Sequence, residues 1–306
     1  MIEKFLEKDT VNINLDSDGL LSYLFLKIGG FKGHISGYNN SHDLILSIHP
    51  TLGEMWDDIF IDIFVNKKES FSIDQHVISN TLEVENSVNK LNPHFLIENH
   101  IPNGNYFSKY PFSTCLFILA ILEKEKRIGD INLIQPLENK GFNLIDLVLR
   151  ADGVLGNYVN YNENVKYWAE KLIVFSDNGV NTKKIMDYLL SLDLSEAKFK
   201  NDTISNFYSN YGLTNDGGYN PNKLTLLDNI KLLNKILRAF SKHLDIPLTH
   251  RENKLYLYKG SPFVTEEWDN LNFDNLDTYA FIRKTKLSYT IDFKGTGRVY
   301  NFKIYD

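Results

Sequence analysis

The chain has 306 residues, 43% of them hydrophobic, and a net charge of −6. That much apolar material supplies a core without covalent staples, and the one cysteine, Cys115, excludes both an internal disulfide and a cysteine-only zinc site. An acidic chain is a poor match for long nucleic acid, where phosphate neutralisation dominates affinity, and points instead to short or small anionic substrates with cations offsetting the repulsion.

The N-terminal "MIEKFLEKDT" is charged and lacks an apolar run of signal-peptide length, and no stretch approaches the ~18 apolar residues of a membrane span. The expectation is a soluble, cytoplasmic protein without a membrane partner. In chain order, "TVNINL" (10–15) reads as a buried strand and "GLLSYLFLKIGG" (19–30) as a helix ending at glycines. "GHISGY" (33–38), "DDIFIDIFV" (57–65) and "SFSIDQHV" (70–77) are the next strands. "FSTCLFILAILEKEKRI" (112–128) is a strong helix with Ser113 as its cap, and "NLIDLVLRADG" (143–153) is another. Strands alternating with helices predict an α/β fold whose parallel sheet is covered on both faces.

Helical patterns continue at 164–175 and 181–192. The polar, turn-rich stretch 196–223, with Gly217-Gly218 and Pro221, reads as a linker. It predicts a boundary near residue 205, dividing the chain into 1–204 and a smaller α+β domain, 205–306. That second part opens with an amphipathic helix at 224–244 and ends in strands at 254–260, 278–284, 287–293 and 298–305.

Chemistry-bearing residues recur at the C-terminal ends of the predicted strands, where open α/β sheets place their sites. Asp16 and Asp18 follow the first strand, Asp62 sits inside the third, and Asp74 and His76 end the fourth. Asp152 closes a helix. Carboxylates and imidazole in such a group suit Mn²⁺ or Mg²⁺. Taken singly, Asp16 or Asp18 is equally well a helix cap and Asp152 a helix stop. Asp62 is harder to place that way, because an unpaired carboxylate in so apolar a run is costly.

The pattern Asp-x-Asp-Gly-x-x-Ser (Asp16, Asp18, Gly19, Ser22) resembles the first motif of the DHH phosphoesterases. "FIDIFV" resembles their second motif and "IDQHVIS" the Asp-His-His motif that names them. "LNPHF" (91–95) and "YPFSTCLFILAILE" (110–123) resemble segments of RecJ-type exonucleases, and "DLVLRADG" (146–153) resembles the fourth motif. The resemblance covers roughly residues 10–160. It implies a parallel-sheet DHH domain joined to a smaller DHHA1-type α+β domain that binds substrate. Asp16, Asp18, Asp62 and Asp152 would be ligands of one or two Mn²⁺ or Mg²⁺ ions. Asp74 and His76 would stand at the catalytic centre, with His76 facing the phosphate and Ser22, Gln75 and Ser113 near the substrate. The implied reaction is hydrolysis of a phosphodiester in a short single-stranded oligonucleotide or a (cyclic) dinucleotide.

Three departures stand beside the resemblance. Gln75 replaces the first histidine of the naming motif, offering a neutral carbonyl oxygen in place of imidazole. Asn12 and Asn14 stand where members often carry histidine or aspartate. The glycine-rich substrate motif is missing; its nearest candidate is "FKGTGRVYNF" (293–302), where Gly295, Gly297 and Arg298 either cradle a phosphate or form a hairpin turn. A second class is therefore open: a catalytically impaired member that binds a nucleotide or a partner protein.

"LDSDGLL" also fits the first motif of haloacid-dehalogenase phosphatases, with "KLIVFSDNG" (171–179) as an echo of a later one. No P-loop and no Gly-x-Ser-x-Gly elbow is present. His243, His250 and Arg251 are further phosphate candidates, and Tyr256 and Tyr258 could stack a base. Oligomeric state is open, a homodimer included.

Overall fold

The computed structural model describes residues 1–39, 44–48, 55–63, 65, 70–76, 89–98, 108–134, 142–244 and 246, and the backbone of strands at 256–259, 288–294 and 297–303. The predicted strand at 278–284, along with His250, Arg251 and Gly295, lies outside the described residues.

Strand β1 (Thr10–Asn14) alternates in character, and the alternation sorts its two faces. Val11 and Ile13 enter the main core. Asn12 lies on the other face, where its amide meets the sulfur of Met55 at 3.6 Å. The remaining strands are β2 (His34–Asn39), β3 (Leu44–Ser47), β4 (Ile59–Ile61), β5 (Phe71–Ile73), β6 (Lys90–Leu91), β7 (Tyr256–Lys259), β8 (Ser288–Lys294) and β9 (Gly297–Lys303). The sheet order is β6-β5-β4-β1-β2-β3-β7. The first five strands in that order run parallel, and β3 and β7 extend the sheet by antiparallel pairing. The predicted α/β class with a parallel sheet is thus observed. Ile59 and Ile61 join the main core while Phe60 packs with Met55, Ile63 and Val65, so both faces are covered, one more heavily.

The helices are α1 (Glu3–Leu6), α2 (Ser17–Ile28), α3 (Pro93–Leu96), α4 (Thr114–Lys124), α5 (Leu144–Arg150), α6 (Val154–Asn160), α7 (Asn162–Phe175), α8 (Val180–Ser191), α9 (Leu194–Asn210) and α10 (Leu226–His243). A helix that is apolar all round must be buried, and α4 is, throughout residues 114–123. It packs against α2, α7 and α8. Its last buried residue, Glu123, anchors α8: the carboxylate accepts from the Asn181 and Thr182 N–H groups at 2.6 and 2.9 Å, and from the Thr182 hydroxyl at 2.6 Å. Charge-assisted bonds of this kind contribute about 1.5–3 kcal/mol each. Glu123→Ala is therefore expected to destabilise the protein by about 3 kcal/mol, read as a lower urea midpoint with an unchanged slope. An unaltered midpoint would show that water replaces the anchor.

The segment read as a linker, 196–223, is helical in its first half and turn-rich beyond it. Helix α9 runs through it to Asn210, so a boundary at residue 205 falls inside a helix. Composition misled because the stretch is polar on average. The buried residues of the helix, Ala197, Ile204 and Tyr208, share one face while Leu194 and Phe199 are exposed, and a capping box of Asp193 and Glu196 starts it. Parts of the chain beyond the boundary also pack on the first sheet. Strand β7 pairs with β3, and α10 places Ile230, Leu233 and Leu237 in the main core.

Candidate metal centre

Strands β2 and β4 flank β1 on opposite sides, so the chain order reverses there. Crevices at such switch points, outside the carboxyl ends of strands, are where open α/β sheets bind ligands. The turn from β1 into α2 occupies this place. Asp16 caps α2, accepting the Gly19 N–H at 2.9 Å. Asp18, in the first turn, points inward and is 2% exposed. Its carboxylate accepts the N–H groups of Thr114 and Cys115, each at 2.7 Å, at the positive N-terminal end of α4. Gly19 is there because a Cβ would lie 2.2 Å from the Asn14 carbonyl oxygen. The Asp-x-Asp-Gly pattern is thus a cap, an inward acid and a close helix–strand contact.

Asp62 does not lie inside its strand, as the sequence suggested, but immediately after β4 in the left-handed region, at φ 59°. Asp152 also adopts φ 52°, in a single 3-10 turn after α5. Aspartate tolerates this conformation better than most residues, and its use twice around one site aims two carboxylates that an extended backbone would direct elsewhere. The Asp62 carboxylate accepts from the Thr114 hydroxyl at 2.8 Å and from the Asn14 amide at 3.0 Å. The same Asn14 nitrogen donates to Asp16 at 2.5 Å, so one amide bridges two carboxylates. After β5, the His76 ring nitrogen Nδ1 meets Asp74 at 2.6 Å and Asp62 at 3.8 Å. Asn92 donates to the His76 carbonyl at 2.8 Å and caps α3, and His94 accepts the Tyr110 N–H at 2.9 Å. The "LNPHF" and "YPF" segments therefore brace the site from outside.

Burial, with Asp18 beside it, pushes the Asp16 carboxyl well up from its ordinary value. Burial and Asp152 push Asp18 up to about 6, against the pull of its two N–H donors. Asp62 rises well above the ordinary value through burial and the charges of Asp18 and Asp16. At His76 burial disfavours the imidazolium, but Asp74 and Asp62 outweigh it and the value rises. The cluster thus holds protons where a cation would otherwise balance the charge.

Ligand atoms of Asp62, Asp74 and His76 lie within 4.8 Å of one another, and this buried group could hold a metal ion. The donor set fits: Asp74 Oδ2 is buried without a partner among the described residues. Two carboxylates and an imidazole are suitable ligands for a divalent transition metal. The grouping differs from the one the sequence implied. Asp74 and His76 join Asp62 in the ligand group, while both oxygens of Asp18 are engaged by α4. Asp152 accepts a hydrogen bond from the Gln75 amide.

Ser22 and Ser113, expected near substrate, are both fully buried. Ser22 faces Asp18 at 3.5 Å, and Ser113 caps α4 by accepting the Leu116 N–H. Burial also pushes the Cys115 thiol up, leaving it a packing residue. Strands β8 and β9 pair antiparallel with Lys294 opposite Gly297, which places Gly297 and Arg298 in β9. "KLIVFSDNG" ends α7 and turns at Asp177 and Asn178, which is not the strand a haloacid-dehalogenase motif needs. Sequence reading missed Asn14 and Thr114 as members of the site. The signal was the last polar residue of an alternating strand, two positions before Asp16, and a threonine next to a cap.

No helix among the described residues is long and apolar enough to cross a membrane. No family model, curated protein or solved structure matches the chain.

Proposed function

We propose that the chain is a metal-dependent phosphoesterase, resembling the DHH group, that hydrolyses phosphodiester bonds in short single-stranded oligonucleotides or dinucleotides. The observation that carries this reading is the gathering of Asp62, Asp74 and His76 beside Asp16, Asp18 and Asp152 at the carboxyl ends of β1, β4 and β5. A bound Mn²⁺ or Mg²⁺ would supply charge stabilisation at the phosphoryl oxygens and a more acidic water. Asp62, Asp74 and His76 would hold it. Asn14 and Thr114 fix the Asp62 carboxylate, and Asp74 engages Nδ1 of His76 and so sets the ring's orientation. The test is hydrolysis of a 5′-phosphorylated dinucleotide with Mn²⁺ and with Mg²⁺; no product with either ion overturns the reading.

One observation favours a second reading, a binder without turnover. Gln75 stands where an imidazole would serve as ligand, and its amide engages Asp152. Gln75→His separates the two. A weak enzyme is expected to gain about tenfold in metal affinity and turnover, whereas a binder shows no turnover in either form.

A further inference from the structure

Among the described residues, Asp62, Asp74 and His76 are the one group of three ligating side chains that closes to within 4.8 Å. Asp74 is 1% exposed and its Oδ2 has no partner there, so this group keeps a buried oxygen free for an ion. Asp16, Asp18 and Asp152 form no second group of that kind among the described residues. They are close neighbours all the same: Asp152 acts on Asp18, and all three act on Asp62.

N–H groups meet these three acids instead. Asp16 accepts the Gly19 N–H at 2.9 Å on one oxygen and the Asn14 amide at 2.5 Å on the other. Asp18 accepts the Thr114 and Cys115 N–H groups, one on each oxygen, both at 2.7 Å. Asp152 accepts the side-chain amide of Gln75. Such donors favour the ionised carboxylate without adding net charge. Asp62 accepts bonds as well, but it has Asp74 and His76 beside it to complete a ligand set.

Gln75 differs from the other donors. The N–H groups at the start of α4 are backbone, whereas Gln75 is a side chain, 1% exposed, that lies between Asp74 and His76 in sequence. A buried amide needs an acceptor. Here the acceptor is Asp152, held at φ 52° in the turn after α5. The residue type at position 75 therefore decides whether Asp152 faces a neutral donor or a cation.

We infer that the centre takes a single divalent ion, at Asp62, Asp74 and His76, and that Gln75 keeps a second ion out by engaging Asp152. The inference rests on the metal-centre half of the reading above and is separate from hydrolysis. Gln75→Glu is nearly isosteric. It removes the donor and sets a second carboxylate against Asp152, and two buried like charges so placed call for a cation.

The full chain, stripped with EDTA and returned to buffer at about pH 8, where carboxylates are ionised, is titrated with Mn²⁺ by calorimetry. The loaded samples are then read by electron paramagnetic resonance. Wild type is expected to bind one Mn²⁺ per chain, with the hyperfine spectrum of an isolated ion, and Asp62→Asn to lose it. Gln75→Glu is expected to bind two, the second ion broadening that spectrum by coupling to the first. Gln75→His, which offers an imidazole in place of the amide, carries the same expected count and decides the matter if the glutamate variant fails to fold. Two ions in wild type, none in wild type, one ion that survives Asp62→Asn, or a single ion in the folded variants at position 75 each overturns the inference. One ion in wild type and two in those variants, with no hydrolysis by any of them, upholds the ion count and removes only the phosphoesterase reading. Hydrolysis by a wild type that binds two ions does the reverse.

Discussion

Asp62→Asn is expected to remove Mn²⁺ binding, with a loss of at least about 100-fold in affinity, and at the same time to raise the melting temperature of the metal-free protein. Asp62 is 5% exposed and faces the charges of Asp18, Asp16 and Asp152. Asparagine removes that repulsion. It keeps an acceptor for the Thr114 hydroxyl and loses the bond from Asn14, a cost of about 1 kcal/mol. Each unit by which burial and like charge raise a carboxylate's pKa is worth about 1.4 kcal/mol, so one unit of relief already offsets the lost bond. Calorimetry and a melting curve of wild type and variant check both halves. A variant that binds Mn²⁺ like wild type removes Asp62 from the ligand group. A variant less stable than wild type without metal means its hydrogen bonds outweigh the repulsion.

The same groups set the pH dependence. Asp18 has an ordinary value of 3.8 and is raised to about 6 in the fold. A raised value means the folded state binds the proton more tightly. The associated stability is present below the ordinary value and is lost as pH rises through the folded one. Asp16 and Asp62 shift the same way. His76, also raised, contributes its charged pair with Asp74 below its ordinary 6.5 and loses it above the raised value. All four act in one direction. The metal-free protein is expected to lose stability as pH rises from about 4 through about 6, the window that Asp18 sets, and the increment given by Mn²⁺ to grow over that range as the ion replaces protons. Asp62→Asn should flatten both trends. A Mn²⁺ increment independent of pH would mean that binding displaces no protons from this cluster.

Gly19→Ala is expected to be the most damaging small substitution. The added methyl would lie 2.2, 2.9 and 3.0 Å from the oxygen, nitrogen and carbonyl carbon of Asn14, all backbone atoms of β1. No side chain can rotate away, so helix α2 must separate from the strand, at about 3 kcal/mol. That corner carries Asn14, Asp16 and Asp18, so Mn²⁺ affinity should fall together with stability. Gly129→Ala is the control, since a Cβ there meets nothing within 4 Å. Equal urea midpoints for the two variants would show that the strand–helix corner is not tightly packed.

Asp16, Asp18, Asp62, Asp74, His76 and Asp152 could all be singled out from the chain, five because they follow an apolar run and Asp62 because it interrupts one. The strands bearing them were legible for the same reason, though β4 and β5 are shorter than their apolar runs. The polar stretch at 196–210 was not legible. A helix that buries only three of its seventeen residues looks like a linker when its composition is averaged.

Local pattern by itself determined the parallel α/β class and the set of acids near the strand ends, since period and turn residues are short-range properties. Only the tertiary structure decided how those acids divide. Asp18 meets α4 across 96 residues of sequence, Asp62 meets Thr114 across 52, and Gln75 meets Asp152 across 77. These pairings depend on which chain segments become neighbours when the core closes, and no local periodicity encodes that choice.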